Sequence, residues 1–595
     1  MTTIDTAETT AAPCAEAAPA VPFKERLRRA LRARETVFVL LAALIGAAAG
    51  ALTVAVSTLA HLVQAALFHL APAERLSAMP DLTLLQLCVL PLGGAVLALF
   101  THVSGARSLP LVDAVEANAL HGGRMSKRDS AVISTQTVLS NGFGASVGLE
   151  AAYAQLGGCA GSVGGRLLAL RRADYRTLVG AGAGAGIAAA FGAPLVGAFY
   201  AFEIVIGAYT PAAIAPVAAA ALSAALVSRA LGGEPYLYAA ERAGDVATPD
   251  YLLFALLGAV AAVVGIVLMR AVSRVEAASR RSILPRWSRP IVGGLLLMPI
   301  AALSPQALSA GHGALHLDIA AGASLGLVAT VFLAKSAASI VSLGFGFRGG
   351  LFFASLFLGT LLGHLFAGLA ELVAGFPVID GADAAVVGMG ALAVAVIGGP
   401  MTMAMLVLEM TQDFALTGAV LLASLVASVI VRENFGYSFS TWRLHLRGET
   451  IKSARDVGWV KTLTAGRMMR KDARSTPGET TIAEFRRKFP LGSTSRVIVT
   501  KADGTYLGIV ATPAAYDEGA PADKAVGELA AARDHALRPA DDIASVMARF
   551  DAAGTDELAV VGEDGAVLGL LSETFVRKRY AQELEKAQRE LFGER

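Results

Sequence analysis

Long runs without a single Asp, Glu, Lys or Arg recur through the first three quarters of this chain, at 36–73, 82–106, 130–149, 177–202, 204–228, 251–269, 290–317, 349–370, 384–408 and 414–431. Several are long enough for a helix to cross a hydrocarbon core of ~30 Å, whereas others are too short or too interrupted. Gly182-Ala-Gly-Ala-Gly186, Gly344-Phe-Gly346 and Gly398-Gly-Pro400 fall within the apolar sequence, and the pattern predicts helix breaks at all three. In a bilayer, backbone amides freed by such breaks are tolerated only inside protein or beside a water-filled cavity. The pattern therefore predicts an all-α polytopic membrane protein with broken and re-entrant helices. Beyond residue 449 the charges return. Short apolar strands at 495–499 and 506–510, then again at 557–561 and 567–571, alternate with helical stretches and predict two α/β units. The stretch from Arg577 to Arg595 predicts a solvated charged helix with Glu583 and Lys586 at i, i+3.

Composition sharpens this. At 55% hydrophobic against 16% charged over 595 residues, the chain is too apolar for a soluble protein and too long for one domain. The net charge of +2 gives no basic face for nucleic acid. Cys14, Cys88 and Cys159 lack CxxC or metal-ligand spacing and read as small hydrophobes, so neither metal nor redox chemistry is expected. No G-x-S-x-G, HExxH or Walker frame argues for an enzyme, and no cofactor is implied. Residues 1–35 read as a tail in which Lys24, Arg26, Arg28, Arg29, Arg32 and Arg34 precede the first apolar run, holding the N-terminus in the cytoplasm. Basic loops at Arg166 to Arg176 and Arg270 to Arg289 add cytoplasmic anchors, and the charged region 449–595 is expected on the same, cytoplasmic side of the membrane.

The membrane part, 36–448, repeats itself. Gly142-Phe-Gly-Ala-Ser-Val-Gly-Leu149-Glu150 matches Gly344-Phe-Gly-Phe-Arg-Gly-Gly-Leu351-Phe352 in its Gly, Phe, Gly, Gly and Leu positions, 202 residues later. Gly192-x-Pro194, with Glu203 nine residues after the proline, recurs as Gly398-x-Pro400 with Glu409 nine residues after. Two frames in the same order imply two homologous halves, near 36–230 and 250–446. Such inverted repeats bring discontinuous helices together near the bilayer midplane, where their N-termini offer unpaired N–H groups and a positive dipole end to an anion. The glycines would equally let helices pack closely, but their clustering before helix starts favours the first reading. Glu150 opens an apolar helix, where an isolated acid is expensive. Its carboxylate either fills the place a permeating anion needs and swings away when protonated, or is an ordinary helix cap.

These frames resemble those of the ClC family of chloride channels and proton/chloride exchangers, over nearly the whole chain and including a C-terminal pair of CBS modules. Gly148-Leu149-Glu150-Ala151-Ala152 is similar to the family segment G-[RK]-E-G-P, with Leu149, Ala151 and Ala152 replacing the basic residue, Gly and Pro. The resemblance implies that Glu150 is the gate and that Gly148 and Leu149 border the anion. Gly350-Leu351-Phe352-Phe353-Ala354 is similar to G-x-F-x-P without the final proline, and implies that the amides of Leu351 and Phe352 face the anion. Anchored on Pro110, the family's G-S-G-I-P puts Arg107 at the anion-coordinating serine, with Ser108 one place later. Arg107 either draws anions to an inner mouth or snorkels to the cytoplasm. Aligned on Arg447-Gly448, the family's pore tyrosine falls on Ser440, with Tyr437 three residues earlier, which implies a less constricted inner gate. The internal proton acceptor of exchangers falls on Ile204, which carries no proton, while Glu203 and Glu409 are expected to make buried structural contacts.

The resemblance implies a homodimer in the lipid bilayer, each subunit conducting chloride or another small anion as a channel or weakly coupled transporter. A proton/chloride antiporter on the same fold is the first alternative, and a membrane sensor read by the CBS pair the second. In CBS pairs the segment G-x-[VI]-[ST]-x-x-D supplies an acid for adenine nucleotides. Here its last position falls on Ala514 and Phe575, so dimerisation is expected in preference to nucleotide sensing.

Overall fold

The computed structural model describes residues 34–71, 74–105, 111–233, 246–314, 324–445 and 463–592. Arg107 and Ser108, Cys14 and the basic stretch through Arg32 lie outside the described residues, as do the side chains of Glu583 and Lys586.

The first half runs α1 (Glu35–Phe68), α2 (Val89–Val103), α3 (Ala114–Leu120), α4 (Lys127–Gly142), α5 (Glu150–Leu167), α6 (Arg172–Phe191), α7 (Pro194–Tyr200) and α8 (Pro211–Ala230). The second runs α9 (Asp250–Arg281), α10 (Arg289–Leu303), α11 (Leu325–Gly344), α12 (Phe352–Ala374), α13 (Gly381–Ile397), α14 (Pro400–Thr411), α15 (Phe414–Asn434) and α16 (Phe439–His445). Among the described residues, seven helical segments are long and apolar enough to span a bilayer, while α7, α10, α13 and α14 are apolar but shorter. Leu40, Leu44, Leu52, Leu59 and Leu62 of α1 are exposed, a face suited to lipid chains.

The halves correspond around their repeated frames. Helices α4 and α11 both stop at the first glycine of their Gly-Phe-Gly frames, and the second glycines, Gly144 and Gly346, have φ of 88° and 100°, which a side chain disfavours. The chain then doubles back, and Gly148 and Gly350 pair as an antiparallel bridge with N···O distances of 3.0 and 3.2 Å. The two re-entrant loops thus meet and run in opposite senses, as an inverted repeat requires.

The second repeated frame closes reciprocally. Glu203 of the first half accepts hydrogen bonds from Met401 N (3.1 Å), Thr402 N (2.8 Å) and Thr402 Oγ1 (2.7 Å) at the start of α14. Glu409 of the second half accepts from Leu195 N and Val196 N, both at 3.0 Å, at the start of α7. Each carboxylate satisfies amides that begin a helix in the other half, where negative charge is favoured. Both are half-buried.

One expected break is absent. Gly182 to Gly186 lie inside the unbroken α6, which ends only at Phe191, capped by Gly192 at φ 66°. These glycines are instead sites of close approach. A β-carbon on Gly182 would stand 2.1 Å from Gly157 O, one on Gly184 2.2 Å from Gly197 O, and one on Gly186 2.5 Å from Tyr153 O. Small residues here let backbones touch. Gly344-Phe-Gly346 and Gly398-Gly399-Pro400 do interrupt helices, the latter with φ of 86° and 77° at its glycines.

The C-terminal region contains β1 (Ser475–Pro477), α17 (Ile482–Lys488), β2 (Arg496–Thr500) and β3 (Tyr506–Ala511), then α18 (Ile543–Ala553), β4 (Glu557–Val561), β5 (Val567–Ser572) and α19 (Glu573–Phe592). Strand β1 lies parallel to β2, while β2–β3 and β4–β5 are antiparallel pairs. Ile498, Ile509, Ala559 and Leu570 form a shared core between the two α/β units. At their junction the buried Glu557 accepts from Arg470 and Ser495, each at 3.2 Å.

Candidate anion site

The bridge between Gly148 and Gly350 sets the starts of α5 and α12 side by side. Their N-cap residues, Leu149 and Leu351, make no side-chain cap; Ala152 N–H closes on Leu149 O at 2.8 Å, while the amides of Ala151 and Phe352 are left for something else. The Glu150 carboxylate lies among them. A β-carbon on Gly350 would be 3.5 Å from Glu150 Oε2, 3.7 Å from Phe352 N and 3.8 Å from Ala151 N. Both carboxylate oxygens are buried, with the backbone N–H groups of Glu150 and Phe353 as their nearest donors at geometry short of a full hydrogen bond. An acid placed at two helix starts, with only loose contacts to their amides, is held largely by their field, and a small anion suits the same place.

A cavity of about 130 Å³ adjoins it, lined among others by Asp113, Glu150, Tyr200, Ile204, Arg348, Gly350, Leu351, Phe352, Ser440 and Arg443. A second cavity, about 220 Å³, is lined by Glu203, Arg432, Tyr437 and Ser438, among others. Val115, Ile204, Ile397 and Ser440 border both, so an apolar partition with one hydroxyl separates them.

The structure therefore brings together Glu150, Gly350, Leu351, Phe352, Ser440 and Ile204 around the first cavity. Gly148 lies beneath the carboxylate, but its N–H is spent on Gly350 O. Leu149 turns away and lines a separate cavity of about 30 Å³ with Gln64, Asn141 and Ser309. Tyr437 lines only the second cavity. Arg348 and Arg443, which no motif singled out, supply cationic groups where the family's basic neighbour of the gate is replaced by Leu149.

Lys335 was also missed, although it is the one charged residue in α11 and so stands out in the sequence. It is fully buried, and its Nζ donates to Ser309 O (2.8 Å) and Ala307 O (3.2 Å). Ser309, at φ 54°, in turn donates its N–H to Gly144 O (3.1 Å), while its hydroxyl accepts from Gln64 and Asn141 at 3.1 Å each. Asn141 Nδ2 donates to Val147 O at 2.8 Å, which ties this network to the re-entrant loop below Glu150. An intramembrane cation is costly and marks function by default.

Among the described residues no group of three or more His, Cys, Asp or Glu is placed to hold a metal ion. The donors present are amides, hydroxyls and guanidinium groups, which suit an anion.

Comparison with known proteins agrees. The family model for voltage gated chloride channels matches residues 92–432. The chain belongs to the ClC family. A "putative chloride channel protein ClcB-like" from Ralstonia nicotianae is 32% identical over 351 residues, covering 57% of this chain and 81% of that protein. The "H(+)/Cl(-) exchange transporter ClcA" of Yersinia pestis is 29% identical over 300 residues, 49% of this chain and 62% of the exchanger. The crystal structure of a eukaryotic CLC transporter shares the fold with a TM-score of 0.59 at 19% identity, covering 92% of this chain and 98% of that one. A ClC protein is an integral membrane protein, and the reciprocal loops and caps described above are how this member assembles its two halves.

Proposed function

We propose that this ClC protein conducts chloride or another small anion across a bacterial inner membrane, through a Glu150-gated pore in each subunit of a homodimer and with weak coupling to protons. The observation that carries the reading is the Glu150 carboxylate, seated at two helix starts beside a cavity lined by Arg348 and Arg443. Ionised, it occupies the anion's place; protonated, it loses the field that holds it there. More flux at acidic pH follows, and Glu150→Gln should remove that dependence.

Weak coupling is supported by Ile204. It stands in the partition where a proton would need an acceptor, and moving charge through an apolar wall costs several kcal/mol. The exchanger reading is favoured by one feature, the 220 Å³ cavity that reaches Ile204 from the Glu203 side and is roomy enough for water. The Ralstonia and Yersinia relatives carry channel and exchanger names respectively. Reversal potentials in liposomes under a chloride gradient, repeated with a pH gradient, separate the two. A potential that follows chloride alone supports the channel reading; uphill proton movement at fixed stoichiometry, persisting in Ile204→Ala, supports the exchanger.

The basic flanks of α1 and α9, at Arg34 and at Arg280 and Arg281, support a cytoplasmic N-terminus. Region 449–595 is assigned as a cytoplasmic CBS pair that dimerises, a reading supported by Ala514 and Phe575 at the positions where a nucleotide-binding acid would stand.

A further inference from the structure

Tyr200 is the last residue of α7, 9% exposed, and lines the cavity beside Glu150 together with Ile204, Arg348 and Ser440. Its ring is fixed against the start of α12, 6.0 Å from the Phe352 ring centre and inclined by 55°. The chain then enters the π-helical turn Ala201–Ile206, a local distortion of the kind that re-aims side chains at functional sites. Asp113 and Glu150 line the same cavity. The described residues make no hydrogen bond to the Tyr200 hydroxyl.

An anion entering this cavity leaves water and needs donors in exchange. Asp113 and an ionised Glu150 only accept. The Gly350 N–H is already spent on Gly148 O. Side-chain donors come from Tyr200, Ser440, Arg348 and Arg443. Among these, the Tyr200 hydroxyl is a neutral donor on a rigid ring held by packing, and little entropy is lost when it binds. The guanidinium groups attract any anion, whereas a fixed O–H favours small anions with concentrated charge.

We infer that Tyr200 is a selectivity-determining residue that donates its O–H to the transported anion within the cavity, sharing that task with Ser440. The inference rests on the anion-transport reading and deepens it. Tyr200 belongs to no motif that placed the anion in the sequence.

The test is chloride and nitrate flux from liposomes holding the full-length protein, comparing wild type, Tyr200→Phe and Tyr209→Phe. Phenylalanine keeps the ring and its contact with Phe352, so folding should persist. Loss of a hydrogen bond to a charged partner should raise the chloride concentration for half-maximal flux on the order of tenfold and shift the chloride/nitrate ratio toward nitrate. Tyr209→Phe, in an exposed residue outside the cavity, should change neither. The Tyr200→Phe effect should persist in a Glu150→Gln background, because the hydroxyl acts on the anion and not on the gate. If wild type conducts and Tyr200→Phe stays within about twofold of it on both readouts, or if its effect vanishes with Glu150→Gln, the assignment is overturned while anion transport stands. If wild type conducts neither anion, the transport reading itself falls.

Discussion

Gly148 makes room for the carboxylate of Glu150: a β-carbon on that glycine would stand 1.9 Å from Oε2 and 2.8 Å from Cδ. Gly148 is not among the residues with positive φ, so alanine costs little in the backbone and acts on the side chain above it. Gly148→Ala should push the carboxylate out of its seat, raise anion flux at neutral pH toward that of Glu150→Ala, and flatten the pH dependence. A wild-type pH profile for Gly148→Ala in liposomes would show that the carboxylate does not rest there.

Lys335 offers a second handle. Lys335→Met keeps the length of the side chain but removes a buried charge and leaves the carbonyls of Ala307 and Ser309 without their donor, at a cost of about 1–3 kcal/mol for each group left unsatisfied. Lower thermal stability and a several-fold weaker apparent chloride affinity are both expected. Chloride titration of flux decides between two roles, since lost stability with unchanged affinity would leave Lys335 only the bracing of the re-entrant loop.

The crossed caps of Glu203 and Glu409 predict a stability effect that is symmetric between the halves. In Glu203→Gln and Glu409→Gln an uncharged amide replaces a carboxylate that accepts two or more N–H groups, and each change should cost roughly 1–2 kcal/mol. Thermal unfolding in detergent should show comparable losses that add in the double variant, because each glutamate holds a different helix start. A loss confined to one of them would argue against a shared structural role.

For the C-terminal region, ATP at millimolar concentration should give no saturable heat in calorimetry on the full protein and leave flux unaltered. Ala514 and Phe575 are exposed at the positions where a ribose-binding acid would be needed. A saturable signal would reverse the dimerisation reading.

Asp542 predicts a local pH effect. Its Oδ1 accepts from Ser545 N at 2.9 Å at the start of α18, and this bond together with the Ser545 hydroxyl holds its carboxyl below the usual range. Because the folded value is depressed, the cap is fully present above the ordinary aspartate range and is lost as pH falls through the depressed value. The Ser545 amide should therefore exchange faster with solvent in Asp542→Ala than in wild type at neutral pH. The two should converge in acid.

Much was legible in the chain itself. Glycine before a helix start and a lone acid in apolar sequence are both costly in a bilayer, so the glycine frames recurring at Gly142 to Gly148 and Gly344 to Gly350 announced the repeat, and Glu150 stood out as the acid beside the first. Glu203 and Glu409 were legible as structural for the same reason. The sequence also held the lone charge of Lys335, but its partners, the carbonyls of Ala307 and Ser309, are backbone groups of another segment.

Sequence by itself determined the two halves, the apolar spans and the acid at the start of α5, because these follow from periodicity and from the cost of charge in hydrocarbon. Only the tertiary structure decided what each glycine does. Gly182 lies inside a helix where Gly157 presses against it, while Gly344 ends one, and a residue without a side chain carries no mark of which neighbour it will meet. Tertiary structure likewise decided that Tyr200, rather than Tyr437, faces the cavity beside Glu150. An aromatic at the end of an apolar helix packs as core in most folds. Whether its hydroxyl reaches a cavity depends on the π-helical turn that follows and on the half of the chain laid against it.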